Sequence, residues 1–192
     1  MRCEYYFEAT STRCFWDSED ENAYHEAGHQ VAAAAGGLPL LPEGILIYER
    51  ADASKALSGY ACYREGDFGE ISHRDAVLTA LIAGMRAQDR EFPETAPHSS
   101  DENKLNDLLE HCGFVPTLER VNELCQQLLN QYWGAIEALA TALLERPWEE
   151  VDEKERSCGA GRKKQLDGKS IATILETHGV SVGADTPGYD EP

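Results

Sequence analysis

The sequence predicts a mainly α-helical fold with a small β element, and three observations carry that expectation. Between Thr117 and Glu145, Leu118, Val121, Leu124, Leu128, Tyr132, Ile136, Leu139 and Leu143 recur every three or four positions, the spacing of one face of a long helix. Ala76 to Met85 is apolar nearly all round, as in a helix at the centre of a domain. Only two short stretches, Gly44 to Glu49 and Gly59 to Arg64, have the glycine boundary and the apolar or aromatic content of strands. At 192 residues the chain is expected to form one main domain with a core that needs neither disulfides nor metal to fold.

The elements follow in order. Residues 1–20 form an aromatic, Thr-rich, strand-like segment of open role, whose rings (Cys3 to Trp16) would allow it to cover a groove. The acidic run Asp17 to Glu21 leads into a helix from Asn22 to Ala35, since acids at a helix start favour the dipole and Gly36-Gly37 with Pro39 ends it. The two strands come next, joined by a polar loop around Asp52 to Lys55. Ser72 and Asp75 form a capping-box pattern that opens a helix to about Arg90. Pro93 to Ser100 reads as a loop, and Asp101 to Cys112 as a short helix with Leu105, Leu108 and Leu109 on one face. In the long helix Gly134 is a candidate bend. Pro147 to Gln165 is polar, charged and Gly-containing and reads as a flexible insertion (147–165). A last helix spans Leu166 to His178, and residues 181–192 read as a disordered tail.

Charge narrows the function classes. With 35 acidic and 17 basic residues the formal net charge is −18, a field that repels phosphate backbones and anionic lipid. Nucleic-acid and membrane-surface roles are therefore not expected. No apolar run approaches the ~20 residues of a membrane span, and no secretory signal is recognisable at the start. The six cysteines (Cys3, Cys14, Cys62, Cys112, Cys125, Cys158) form no CxxC pair and read as reduced, mostly buried thiols of a cytoplasmic protein. No Gly-rich phosphate loop is present.

One motif carries chemistry. His25-Glu26-Ala27-Gly28-His29 is an HExxH sequence within the first helix. Residues four apart on a helix share a face, with Cβ atoms about 5–6 Å apart, so two imidazoles can close on one zinc ion. Glu26 then stands beside the metal without having to bind it, placed to take a proton from water that the metal acidifies. Gly28, at a cost of ~1 kcal/mol relative to Ala in a helix interior, leaves room for a close neighbour. The plainer reading of the same five residues is two surface histidines and an acid on an ordinary amphipathic helix.

Tyr24-His25-Glu26-Ala27-Gly28-His29 resembles the zinc helix of the FtsH-type metallopeptidases, and the likeness runs from about Asn22 to Gly179. Gly59-Tyr60 is similar to that family's "LGY" strand start, Ala83-Gly84 to Ala87 to its "GGRAAE" helix, Ser99-Ser100-Asp101 to its "SGAxxD" segment, and Leu166 to Ile171 to its "LdGeeI" helix. The resemblance implies a zincin-like helical peptidase domain over residues 21–180, with the small β element near the active site. It makes His25, His29 and Asp101 the zinc ligands, Glu26 the general base, and Gly59, Tyr60 and Ala61 the strand that holds substrate. Asp101 is preferred to Asp107 because Leu105, Leu108 and Leu109 follow it at the family's apolar spacing; the plainer reading of Asp101 is a helix N-terminal acid. His98 is the residue to test as a substitute ligand; His73, His111 and His178 show no ligand spacing, and Trp16, Trp133 and Trp148 read as packing residues.

The chain departs from the family at Gln88, where the motif has Glu. A glutamine can orient a neighbour by hydrogen bonding but supplies no negative charge. The loop from there to Asp101 also reads as shortened, and neither the AAA+ ATPase nor the membrane anchor is recognisable. The expected function is a zinc-dependent metallopeptidase acting on peptides or unfolded segments, with a separate ATPase or regulatory partner as an option and the oligomeric state open. The alternative is a zinc-binding regulatory or interaction module that keeps the fold without efficient activity.

Overall fold

The computed structural model describes residues 18–52, 54–63, 71–94, 101–106 and 116–182. Helix α1 (Glu19–Ala35) begins at Ser18, whose side chain accepts a hydrogen bond from the Glu21 amide, with Glu19, Asp20 and Glu21 in the first turn. Its end at Gly36 matches the glycine stop read from the sequence. From Asn22 to Ala34 it is buried at every position but Tyr24, because α2 (Ile71–Glu91), α3 (Pro116–Leu144) and the sheet pack around it. Small residues make that possible. A Cβ on Gly28 would stand 2.6 Å from the Ala83 carbonyl oxygen and 2.7 Å from the Ala87 Cβ, so the close crossing of α1 on α2 requires glycine there.

The sheet overturns the mainly α, zincin-like expectation. Strands β1 (Leu40–Arg50), β2 (Leu57–Tyr63), β3 (Glu149–Glu150) and β4 (Ala160–Leu166) form one four-stranded antiparallel sheet in the order β2-β1-β4-β3, and the fold is mixed α/β. The expected hairpin of β1 and β2 is present, with Ile47 opposite Gly59 and Ile45 opposite Ala61. It is longer than read, because β1 already begins at Leu40. Its register breaks between Leu40 and Ile45, where Gly44 takes φ 69° and the Leu166 carbonyl occupies the place of a Cβ.

Two of the four strands come from Pro147 to Gln165, the stretch expected as a flexible insertion. The charges of β4 misled because each of its three cations has a matched acceptor. Arg162 bonds Glu49 at 2.6 Å and lies over the Trp148 ring, and Lys163 bonds Glu155 at 2.7 Å. Lys164 is buried and reaches both the Leu144 carbonyl, at 2.6 Å, and Glu19. Between β3 and β4 the short helix α4 (Glu153–Ser157) starts at a capping box of Asp152 and Glu155.

The remaining elements differ less from expectation. Ser72 falls inside α2 rather than at its cap, and Asp75 instead meets Arg120 of α3 at 3.2 Å. The bend in α3 is at Tyr132 (φ −117°, ψ 21°), two residues before Gly134. Helix α5 (Gly168–Thr177) is capped by Asp167 and packs Ile171 and Leu175 into the core, while Leu166 belongs to β4. Trp133 and Trp148 pack partly buried against the core. Cys125 is buried, Cys62 half-buried and Cys158 exposed, so mostly buried thiols were not the outcome for these three. Among the described residues no helix is long and apolar enough to cross a membrane. The expectations for residues 1–17, His98, Asp107, His111 and the tail from 183 lie outside the described residues.

Candidate metal centre

His25, Glu26 and His29 sit in the middle of α1, only 2%, 5% and 6% exposed, which excludes the reading of surface histidines on an amphipathic helix. Asp101 lies in a helical stretch described over residues 101–106 and is 3% exposed. It joins them across 76 positions of sequence: its Oδ2 lies 2.7 Å from the His25 Nε2 and 3.3 Å from the His29 Nε2, and the two Nε2 atoms are 2.9 Å apart. Four-coordinate zinc with ligand bonds of ~2.0–2.1 Å holds its donor atoms about 3.3 Å from one another. The three separations here come close to that triangle, so the donor set fits zinc in both type and spacing.

Helix α2 sets which nitrogen of each ring faces the centre. The His29 Nδ1 lies 2.8 Å from the Ala80 carbonyl and the His25 Nδ1 lies 3.2 Å from the Gln88 Oε1. Both partners can accept at these atoms, so with a metal bound each Nδ1–H would donate to them and each Nε2 would turn its lone pair inward. Gly84 belongs to the same device. A Cβ there would stand 2.5–2.6 Å from both His29 ring nitrogens, and without it the imidazole reaches the carbonyl of Ala80 one turn earlier.

The electrostatics follow from burial and proximity. Burial alone would push the Asp101 carboxyl up, but the charge of His29 and the hydrogen bonds of both imidazoles hold it well below the usual carboxylate range. Lys104 sits 3.3 Å from its other oxygen. Burial pulls His29 down, and the charge and hydrogen bond of Asp101, with Glu26 and Ala80, more than reverse this, so it titrates above an ordinary histidine. Glu26 is pushed up to about 7 by burial, against the opposing charge of His29.

Glu26 points to β2. The Ala61 amide donates to its carboxylate, and Gly59 carries no Cβ where the Glu26 carboxylate lies. Of the three residues expected to hold substrate, Gly59 and Ala61 thus flank the acid directly, and Tyr60 packs edge-on against Tyr48 at 5.7 Å. Sequence reasoning missed Asn22, one turn before Glu26 on the same stripe and fully buried, with neither end of its carboxamide hydrogen-bonded. It left no signal in the sequence, since an asparagine in the first turn of a helix reads as ordinary surface. The Ala80 carbonyl left none, since any helical residue offers one.

Because Gln88 orients His25, removing its acceptor should loosen the centre without deleting a donor atom. Gln88→Leu is expected to weaken zinc binding about 10- to 100-fold, measured by competition with a fluorescent chelator. Unchanged affinity would show that packing alone holds the ring. No protein-family model matches the chain, and no curated protein matches it.

Proposed function

We propose that this chain is a zinc-dependent metallopeptidase domain of FtsH type, with His25, His29 and Asp101 as the zinc ligands and Glu26 as the general base. The observation that carries the reading is the convergence of three buried donor atoms, two imidazole Nε2 and one carboxylate Oδ2, all within 4.8 Å of one another. With both Nδ1–H groups donating to these acceptors, three lone pairs would point at one place. Such an arrangement is unfavourable unless a cation or a shared proton occupies it.

A zinc ion held there would polarise a scissile carbonyl and acidify water. The chain's own residues do the rest. Glu26, a carboxylate raised by burial toward neutrality, takes a proton from water and returns it to the leaving amine. A pKa of about 7 suits a group that must do both near neutral pH. Substrate is an extended peptide or unfolded segment lying along Gly59, Tyr60 and Ala61, next to that carboxylate; β2 is an end strand among the described residues, open to strand addition. A separate ATPase or regulatory partner would deliver folded substrates. The proposal places the protein in the cytoplasm, where the Cys62 and Cys125 thiols stay reduced.

One observation favours the rival reading of a zinc-binding regulatory module. The partner of His25 is the neutral Gln88, which raises the basicity of that imidazole less than a carboxylate would. The free, buried Glu26 beside the donors favours the peptidase, since a structural zinc site gains nothing from it. The test of the shared premise is metal content. Purified parent protein is expected to carry one zinc per chain by elemental analysis, and His29→Ala to carry none. A parent that takes up no zinc ends both readings.

A further inference from the structure

We infer that Asn22 is a positioning residue for Glu26, its buried carboxamide sharing the pocket under β2 and limiting where the carboxyl group can lie. The inference deepens the peptidase reading and rests on it for its functional meaning.

Three observations carry it. Asn22 and Glu26 are one turn apart on the same stripe of α1, 0% and 5% exposed. The Asn22 Oδ1 and the Glu26 Oε1 both converge on the space that a Cβ on Gly59 would fill, so the two groups share one pocket under β2. Neither the Oδ1 nor the Nδ2 of Asn22 has a hydrogen-bond partner. A buried carboxamide left unpaired costs on the order of 1–3 kcal/mol, so its place here calls for a role.

The chemistry of the neighbour supplies one. A general base alternates between carboxylate and carboxylic acid. The first needs a donor, the second an acceptor, and a carboxamide offers both on one end-group. Rotation of Asn22 about its last torsion exchanges NH2 and C=O toward the pocket, so the same side chain can serve Glu26 before and after proton transfer. An aspartate would add a like charge and a leucine would add nothing. The Ala61 amide favours the ionised form and cannot accept the proton of the acid.

The experiment uses the 192-residue chain and the variants Asn22→Leu, Asn22→Asp and Glu26→Leu. A double-mutant cycle of Asn22→Leu with Glu26→Leu, read by urea unfolding of chelator-treated protein, needs no activity. Non-additive effects are expected, and additive ones overturn the inference. In zinc-loaded protein Asn22→Leu is expected to lower kcat about 10- to 100-fold with KM and zinc content unchanged. A raised Tm with unchanged kcat would mean that Asn22 is only a misfit of packing. If the leucine variant fails to fold, Asn22→Asp preserves the shape, and the same loss of kcat is expected of it; parental kcat in that variant overturns the inference. A parent without peptidase activity counts against the hydrolase reading, and the cycle still decides the contact between Asn22 and Glu26.

Discussion

Glu26→Gln is expected to keep a full equivalent of zinc and to lose peptide hydrolysis by about 10²- to 10⁴-fold. The substitution preserves length and shape in a site only 5% exposed, so the packing against Gly59 and the hydrogen bond from Ala61 can persist. It removes only the capacity to take up a proton. The donor atoms of His25, His29 and Asp101 are untouched. Comparison of kcat/KM on a fluorogenic peptide library, with zinc measured on the same samples, separates the two proposed classes. A variant within tenfold of the parent would remove Glu26 from the reaction. A parent that binds zinc yet cleaves nothing, equal in this to its variant, would favour the regulatory module.

How much of this was legible beforehand depends on which interactions fix each part. The helices were readable because their information is local. Acids and a serine at the start of α1, a double glycine at its end and the three-four periodicity of α3 all lie within the elements they specify. The sheet was only half readable. β1 and β2 announce themselves by apolar and aromatic content, whereas β4 reads Ala-Gly-Arg-Lys-Lys-Gln-Leu. That strand exists because β1 offers Ile45 to Glu49 as a pairing edge and because Glu49, Glu155 and Glu19 neutralise its cations, partners 113, 8 and 145 positions away in sequence. Composition cannot register partners so distant. Asp152 and Glu155 did carry a local signal, an Asp-x-x-Glu capping box, which argues against a structureless loop from 147 to 165.

At the candidate site the same division holds. The HExxH spacing by itself places His25 and His29 on one helical face. The meeting with Asp101 is non-local, and only the family resemblance singled that residue out. Gly84 illustrates the limit well. As a letter within Ala83 to Ala87 it is a small residue in a helix; in three dimensions it is the gap through which His29 reaches the Ala80 carbonyl. Burial of Asn22 was equally invisible, because an asparagine in the first turn of a helix reads as ordinary surface.

The protein's stability should respond to zinc in a pH-dependent way, and the sign follows from the groups at the centre. Without metal, His29 has a raised pKa, so the stability it contributes is fully present below the ordinary histidine value of 6.5 and is lost as pH rises through the folded value. Asp101 is depressed, so its contribution is present above about pH 4 and does not change across the histidine range. Proton and zinc compete for the same lone pairs on the imidazoles, and zinc binding must release the proton. The difference in Tm between zinc-loaded and chelator-treated protein is therefore expected to be small near about pH 5.5 and to widen toward about pH 8. At free zinc a hundredfold above Kd the stabilisation is about 2.7 kcal/mol, or roughly 5–10 °C for a chain of this size. Thermal unfolding at several pH values, with His29→Ala alongside, provides the measurement. A gap that stays constant with pH, or one that survives in His29→Ala, would mean that zinc acts elsewhere on the molecule and that the three convergent donors form only a proton-mediated ion pair.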